Sequence, residues 1–313
     1  MDEEDIFINF IKNSSVRLLP ESGKSSFIFI IKINEGEESP YTNFYSEKVN
    51  EIAMKFILFT HDDFYKIYDD DNNDNPGKIK ISNSSDYDII DFIDERNIET
   101  EKSFLNEIDM QNKCYDKSVL NLNPICPKIF FSDVIGNNYR SDFIDFLFEK
   151  SNDYFSHDIL RKINKSIKIY DLLQIGFIGM EYLKENYCTL YDLSLKNDTE
   201  LKLYRNIARR ELIRFSELGF LHNDYIETNF MVNKKLKKVF IIDFGRVTEI
   251  EDDYKRLIDE YLETKKWSSL FGIITMKTYH WLEENRFDAS YYINYYRWVN
   301  EISRNDFEIL ATL

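Results

Sequence analysis

Asp224, Asn229 and Asp243 are the residues of this 313-residue chain whose types and spacing point most directly to chemistry. The first two lie in His222-Asn223-Asp224-Tyr225-Ile226-Glu227-Thr228-Asn229, and the third in Ile241-Ile242-Asp243-Phe244-Gly245-Arg246. A positioned carboxylate such as Asp224 can orient an attacking hydroxyl and accept its proton. Asn229, five residues later, offers a neutral amide oxygen to a hard cation, and Asp243 offers a carboxylate to the same cation. A base beside two metal ligands can carry phosphoryl transfer, where positioning and charge neutralisation do most of the work.

The residues between these groups would bring them together. Phe230-Met231-Val232 and Val239-Phe240-Ile241-Ile242 are short apolar runs separated by Asn233 and Lys234, Lys235, Lys237 and Lys238. That pattern predicts a hairpin with a solvated tip, and a hairpin makes neighbours of its outer ends, Asn229 and Asp243. The bland alternative is a surface Asp-Phe-Gly turn following a chance His-x-Asp.

The ordered set His-x-Asp, Asn five positions after the Asp, then Asp-Phe-Gly resembles the catalytic and metal loops of the protein-kinase-like superfamily. It is similar to the divergent members found among large DNA viruses with AT-rich genomes. It departs at Asn223, where regulated protein kinases usually carry Arg, and at Ile226, where Ser/Thr kinases usually carry Lys. The resemblance implies an α+β, bilobal fold with a β-rich N-lobe and a mainly helical, shortened C-lobe. It places the N-lobe at residues 1–183, with polar insertions near 34–50 and 60–100, and the C-lobe at 184–313. It also implies ATP and Mg²⁺, with Asp224 as catalytic base and Asn229 and Asp243 as metal ligands.

Further site residues follow from the same resemblance. Ile52 to Phe59 is an apolar run interrupted by Lys55, and a cation in a buried strand is costly unless paired. The Ala53-Met54-Lys55 context matches the kinase strand lysine that holds the nucleotide phosphates. The alternative is an edge-strand lysine reaching to water. Residues 101–118 read as a helix through the stripe Phe104, Ile108, Gln111 and Tyr115, and Glu107 on its border is the implied partner of Lys55, with Glu101 second. Ser22, Gly23, Lys24 and Ser25 fall where the family covers the phosphates, with one glycine where the pattern has three. The same Gly-Lys-Ser resembles the end of a Walker A loop, but its first glycine position holds Leu18. Met180, Glu181 and Leu183 stand where the hinge would meet adenine.

Other elements follow from pattern. Val16–Leu19 and Phe27–Ile33 read as a hairpin, Asn123–Phe131 as a turn into a strand, Tyr170–Ile178 as an apolar run leading to Met180-Glu181-Tyr182-Leu183, and 199–218 as a helix stopped by Gly219. Tyr254–Trp267, Leu270–Glu284 and Tyr291–Leu310 read as helices. No proline follows Pro127, so no Ala-Pro-Glu motif closes an activation segment. Asn223 cannot make the charge-assisted phosphate contact of an Arg, so activity is expected not to depend on phosphorylation of that segment. The run Asp69-Asp70-Asp71-Asn72-Asn73-Asp74-Asn75 reads as a flexible insertion, since the glycine and terminal Glu of a calcium loop are missing.

A net charge of −16 disfavours nucleic acid as a partner. Three separated cysteines give neither a disulfide framework nor a zinc pattern, which suggests a reducing compartment, the cytoplasm, or host cytoplasm or virion if the source is viral. The acidic N-terminus is no signal peptide, and no apolar run is long enough to cross a bilayer. His61, His157, His222 and His280 show no metal spacing, and His222 is read as bracing its loop. Three functions follow: a protein Ser/Thr kinase, a kinase of a small-molecule hydroxyl, or a pseudokinase serving as a binding scaffold.

Overall fold

Long β-branched and aromatic runs shape the first half of the chain, because such side chains pack well on a pleated surface. The computed structural model describes residues 14–18, 26–34, 39–60, 99–135, 173–183, 187–195, 198–285 and 289–300. Strands β1 (Ser14–Leu18), β2 (Ser26–Ile33), β3 (Glu51–Thr60), β5 (Ile129–Val134) and β6 (Leu173–Glu181) form an antiparallel sheet in the order β1-β2-β3-β6-β5. A short strand β4 (Glu99–Thr100) pairs in parallel with β3 at Phe59 and Thr60, past the last β2 partner at Ile57. The ends of the insertion expected at 60–100 therefore belong to the sheet. Residues 61–98 lie outside the described set. The loop expected at 34–50 contains a bridge between Thr42 and Lys48, closed around Asn43, whose side-chain oxygen accepts from the backbone N–H groups of Tyr45 and Glu47.

Helix α1 (Glu101–Val119) follows β4, as its apolar stripe predicts. Phe104 is buried with Ile57, Phe59 and Ile178, and its ring stacks on Phe59 at 5.1 Å. This packing needs a glycine: a Cβ on Gly176 of β6 would meet the Phe104 ring at 2.5 Å.

The chain divides into two compact units, residues 1–108 with 129–182, and residues 109–128 with 183–313. The division differs from a single cut after residue 183 because Met110, Cys114, Tyr115, Ile125 and Cys126 bury their side chains in the core of the second unit. Among the described residues, that unit contains β7 (Tyr187–Thr189), α2 (Leu190–Ser194), α3 (Asp198–Glu217), β8 (Phe220–Leu221), β9 (Phe230–Asn233), β10 (Lys238–Ile241), β11 (Thr248–Glu249), α4 (Asp252–Glu263), α5 (Trp267–Glu284) and α6 (Ala289–Asn300). The strands make two small sheets, β10-β9-β7 and β11-β8. The third expected C-terminal helix begins at Ala289, and its expected continuation past Asn300 lies outside the described residues.

Helix α3 is the spine of the second unit. Leu201, Tyr204, Ala208, Leu212 and Phe215, its expected apolar face, are all buried. It ends at Gly219, whose φ of +91° suits a residue without a Cβ. The chain is thus α+β, with an antiparallel sheet towards the N-terminus and helices towards the C-terminus. No helix among the described residues is long and apolar enough to cross a membrane.

Candidate functional site

In the first unit, Lys55 lies on the middle strand of the sheet, opposite Ile28 on β2 and Ile178 on β6. Its ammonium donates to Glu107 Oε1 at 2.6 Å, and both residues are buried. Glu107, rather than Glu101, is the partner. A lysine in mid-sheet loses its hydration, and the carboxylate brought in by α1 compensates. Met180 lies opposite Ala53 and Ile129 and packs against the Ile57–Phe59–Phe104 cluster, while Glu181 ends β6 opposite Ile52. Leu183 is half-buried and falls in the second unit. Ser22, Gly23, Lys24 and Ser25 lie outside the described residues.

In the second unit, the predicted hairpin is present, with Phe230 paired to Ile241 and Asn233 to Lys238. The pairing continues past the strand ends: the Ile242 N–H donates to the Asn229 carbonyl at 3.0 Å. Asp243 follows at once, with φ +64°, a left-handed backbone that Asp tolerates better than most residues, and its side chain is exposed. The buried Asn229 donates through Nδ2 to the Asp224 carbonyl at 3.2 Å, leaving its amide oxygen as the group to offer a cation. No cluster of three or more His, Cys, Asp or Glu side chains among the described residues forms a metal cage.

The loop carrying Asp224 is held from several sides. His222 is fully buried, and its Nε2 lies 2.9 Å from the Ile242 carbonyl, which can only accept, so Nε2 bears the hydrogen. Burial pushes the His222 pKa below its usual value, which keeps the ring neutral. Asn223 has φ +58°, where Asn is favoured, and its amide is fully used. Nδ2 donates to the Arg246 carbonyl and to Thr248 Oγ1, both at 2.9 Å, and Oδ1 accepts from Thr278 of α5 at 3.2 Å. Trp298 of α6 donates its indole N–H to the Tyr225 carbonyl at 2.8 Å, and Arg205 of α3 holds Glu227 at 2.7 Å. Phe244 is buried edge-on against Phe215 and His222. Burial pushes the Tyr225 phenol up to about 12, so it stays neutral.

The Asp224 carboxyl has two neighbours that sequence reasoning missed. Tyr296 Oη of α6 lies 3.1 Å from Oδ1 and 3.3 Å from the Asn223 carbonyl, and its single hydrogen favours the nearer, charged acceptor. Arg246 Nη1 lies 3.4 Å from Oδ2. Burial raises the Asp224 pKa above the usual carboxylate range, Arg246 pulls it back, and the charge of Asp243 raises it again. Asp243 is therefore close enough to act on Asp224. Arg246 followed a recognised motif and was readable by position, but its target was not. Nothing local marks Tyr296, 72 residues beyond Asp224, as a partner.

No protein-family model matches the sequence, and no curated protein matches it. Among solved structures, one match is a kinase of Cydia pomonella granulovirus, at 11% identity and a TM-score of 0.37. The match covers 79% of this chain and 56% of that one.

Proposed function

We propose that the chain is a Mg-ATP-dependent phosphotransferase of the protein-kinase-like type, transferring the γ-phosphate to a hydroxyl. The observation that carries this reading is the hairpin register. It joins Asn229 to the residue before Asp243, while Asn229 itself bonds the Asp224 backbone. Asp224, Asn229 and Asp243 thereby belong to one hydrogen-bonded loop system, which supports reading them as base and metal ligands. Lys55, held by Glu107, supports the same reading as the phosphate-positioning cation. When bound, Mg²⁺ neutralises charge on the transferring phosphoryl group. Asn229 and Asp243 would hold it, Asp224 would align the acceptor hydroxyl and take its proton, and Met180, Glu181 and Leu183 would face adenine.

The acceptor is a protein Ser/Thr hydroxyl or a small-molecule hydroxyl. One observation favours the second. Only residues 246–251 lie between Gly245 and the start of α4 at Asp252, and Thr248 and Glu249 of that stretch are paired with β8. So short and tied a connection leaves little backbone there to align an extended peptide. It also contains no serine or tyrosine, and its one threonine, Thr248, accepts the Asn223 amide, which fits activity without phosphorylation of this segment.

The test incubates the protein with γ-labelled ATP and Mg²⁺, once with a panel of generic protein acceptors and once with pooled small hydroxyl compounds. Label moving to the small-molecule pool, and lost when EDTA removes the metal, is expected. Label on proteins alone would replace the small-molecule reading with the Ser/Thr one. Mg-dependent ATP binding without transfer to either pool, or to water, would make the chain a binding scaffold.

A further inference from the structure

Phosphoryl transfer places extra negative charge beside the base, and a catalytic loop with Ile226 has no cation of its own to meet it. Ile226 is partly buried against the core of the second unit. A guanidinium reaches Asp224 from another direction, on the turn Phe244–Arg246 that follows Asp243. We propose that Arg246 supplies the missing cation to the transferring phosphoryl group, and that Tyr292 and Tyr296 of α6 hold Arg246 and Asp224 in register. This rests on the phosphotransferase reading above.

Three observations carry it. Arg246 Nη1 reaches Asp224 Oδ2 at 3.4 Å, within ion-pair range of the group that would orient the acceptor. Its Nη2 donates to Tyr292 Oη at 3.0 Å, and the guanidinium carbon stands 5.1 Å from the Tyr292 ring centre, so the side chain is held by a bond and by the ring face. Its backbone carbonyl accepts from Asn223 Nδ2 at 2.9 Å, which fixes the turn to the residue immediately before Asp224. Tyr292 and Tyr296 lie one helical turn apart, with ring centres 5.6 Å apart, and Tyr296 contacts the other carboxylate oxygen. One face of α6 therefore positions both the base and the cation. A planar guanidinium suits the task, because its fork can engage a carboxylate and a phosphate oxygen together.

The structural alternative is that Arg246 only neutralises a buried aspartate. Turnover kinetics with Mg-ATP separate the two, using wild type, Asp224→Asn, Arg246→Ala, Arg246→Lys and the double variant Arg246→Ala/Ile226→Lys. Arg246→Ala is expected to lower kcat by about 10²–10³-fold, with KM for ATP changed by no more than about 3-fold. Arg246→Lys is expected to regain about ten-fold of that loss, and the lysine at position 226 to regain a measurable part from the other side. A cooperative thermal melt accompanies each variant. If Arg246→Ala does not fold, Arg246→Lys and Tyr292→Phe take its place, each expected to lower kcat with little change in KM. Arg246→Ala within about two-fold of wild type, while Asp224→Asn is inactive, overturns the proposal alone. Recovery by neither lysine also overturns it, in favour of the structural role. Wild-type turnover no greater than that of Asp224→Asn overturns the phosphotransferase reading and this proposal with it.

Discussion

Asp224→Asn is expected to lower Mg-ATP turnover by about 10²–10⁴-fold, the range a positioned general base contributes. An amide of the same shape can still meet Tyr296 and Arg246, but it cannot accept a proton from the incoming hydroxyl. ATP affinity should stay close to that of wild type, because in the proposed role the carboxyl acts on the acceptor rather than on the nucleotide, so the loss falls on kcat. The fold should not account for the loss either. Burial raises the Asp224 pKa, meaning that the folded protein disfavours the ionised form. Stability linked to that group is full where the carboxyl is protonated and declines as pH rises through its raised folded value. Asp224→Asn should therefore melt with wild type in acid and no lower than wild type at neutral pH. Rapid turnover in a well-folded Asp224→Asn would remove Asp224 from the chemistry.

Glu107→Ala is expected to destabilise the first unit by about 3–5 kcal/mol, as removal of one partner from a buried ion pair does. Lys55 sits between two strands with its ammonium 2.6 Å from Glu107. Without that carboxylate its charge has lost its ion-pair partner in a buried site. Replacing both groups, as in Lys55→Met/Glu107→Leu, should recover most of the loss, since apolar side chains of similar volume fill the same space. Urea unfolding of the three proteins at one pH measures this. A Glu107→Ala value within about 1 kcal/mol of wild type would mean a solvated pair of the surface kind.

The sequence was most informative where chemistry and local pattern coincide. The hairpin that brings Asn229 beside Asp243 was readable because a hairpin needs only short-range alternation, and the observed register from Phe230 to Lys238 is of that kind. Lys55 stood out because a cation within an apolar run demands a partner; helical periodicity put Glu107 beside the apolar stripe, and the resemblance supplied the pairing across 52 residues. The expected strands and helices came through for the same reason, with ends shifted by up to four residues: the helix expected over Tyr254–Trp267 spans Asp252–Glu263, and Trp267 opens the next one. What remained hidden depends on tertiary packing. The grouping of residues 109–128 with the second unit follows from where Cys114 and Ile125 bury their side chains, which periodicity does not specify. The clamp on Asp224 is hidden likewise, since Tyr292 and Tyr296 sit in an aromatic-rich helix whose twelve residues include four tyrosines. The capping box of α2, in which Thr189 and Asp192 bond each other's backbone N–H groups, was legible as Thr-x-x-Asp but too short a helix to be noticed.

Asn223 changes meaning once its surroundings are known. As a departure from Arg it suggests only a lost phosphate contact. In the structure it is a buried crosslink with φ +58°, bonded to the backbone beyond Asp243 and to Thr278. The residue read as a lost phosphate contact thus also fixes the loop that carries Asp224.

Equilibrium binding of ATP with and without Mg²⁺, in wild type, Lys55→Met/Glu107→Leu and Asp243→Asn, bears most directly on the proposal that the chain binds Mg-ATP through these residues. Saturable, Mg-stimulated binding to wild type is expected. The double variant should lose at least about ten-fold in affinity with and without metal, about 1.4 kcal/mol, and Asp243→Asn should lose only the Mg-dependent gain. Folded variants that bind as wild type does, or a folded wild type that binds no ATP, would contradict the proposed Mg-ATP binding.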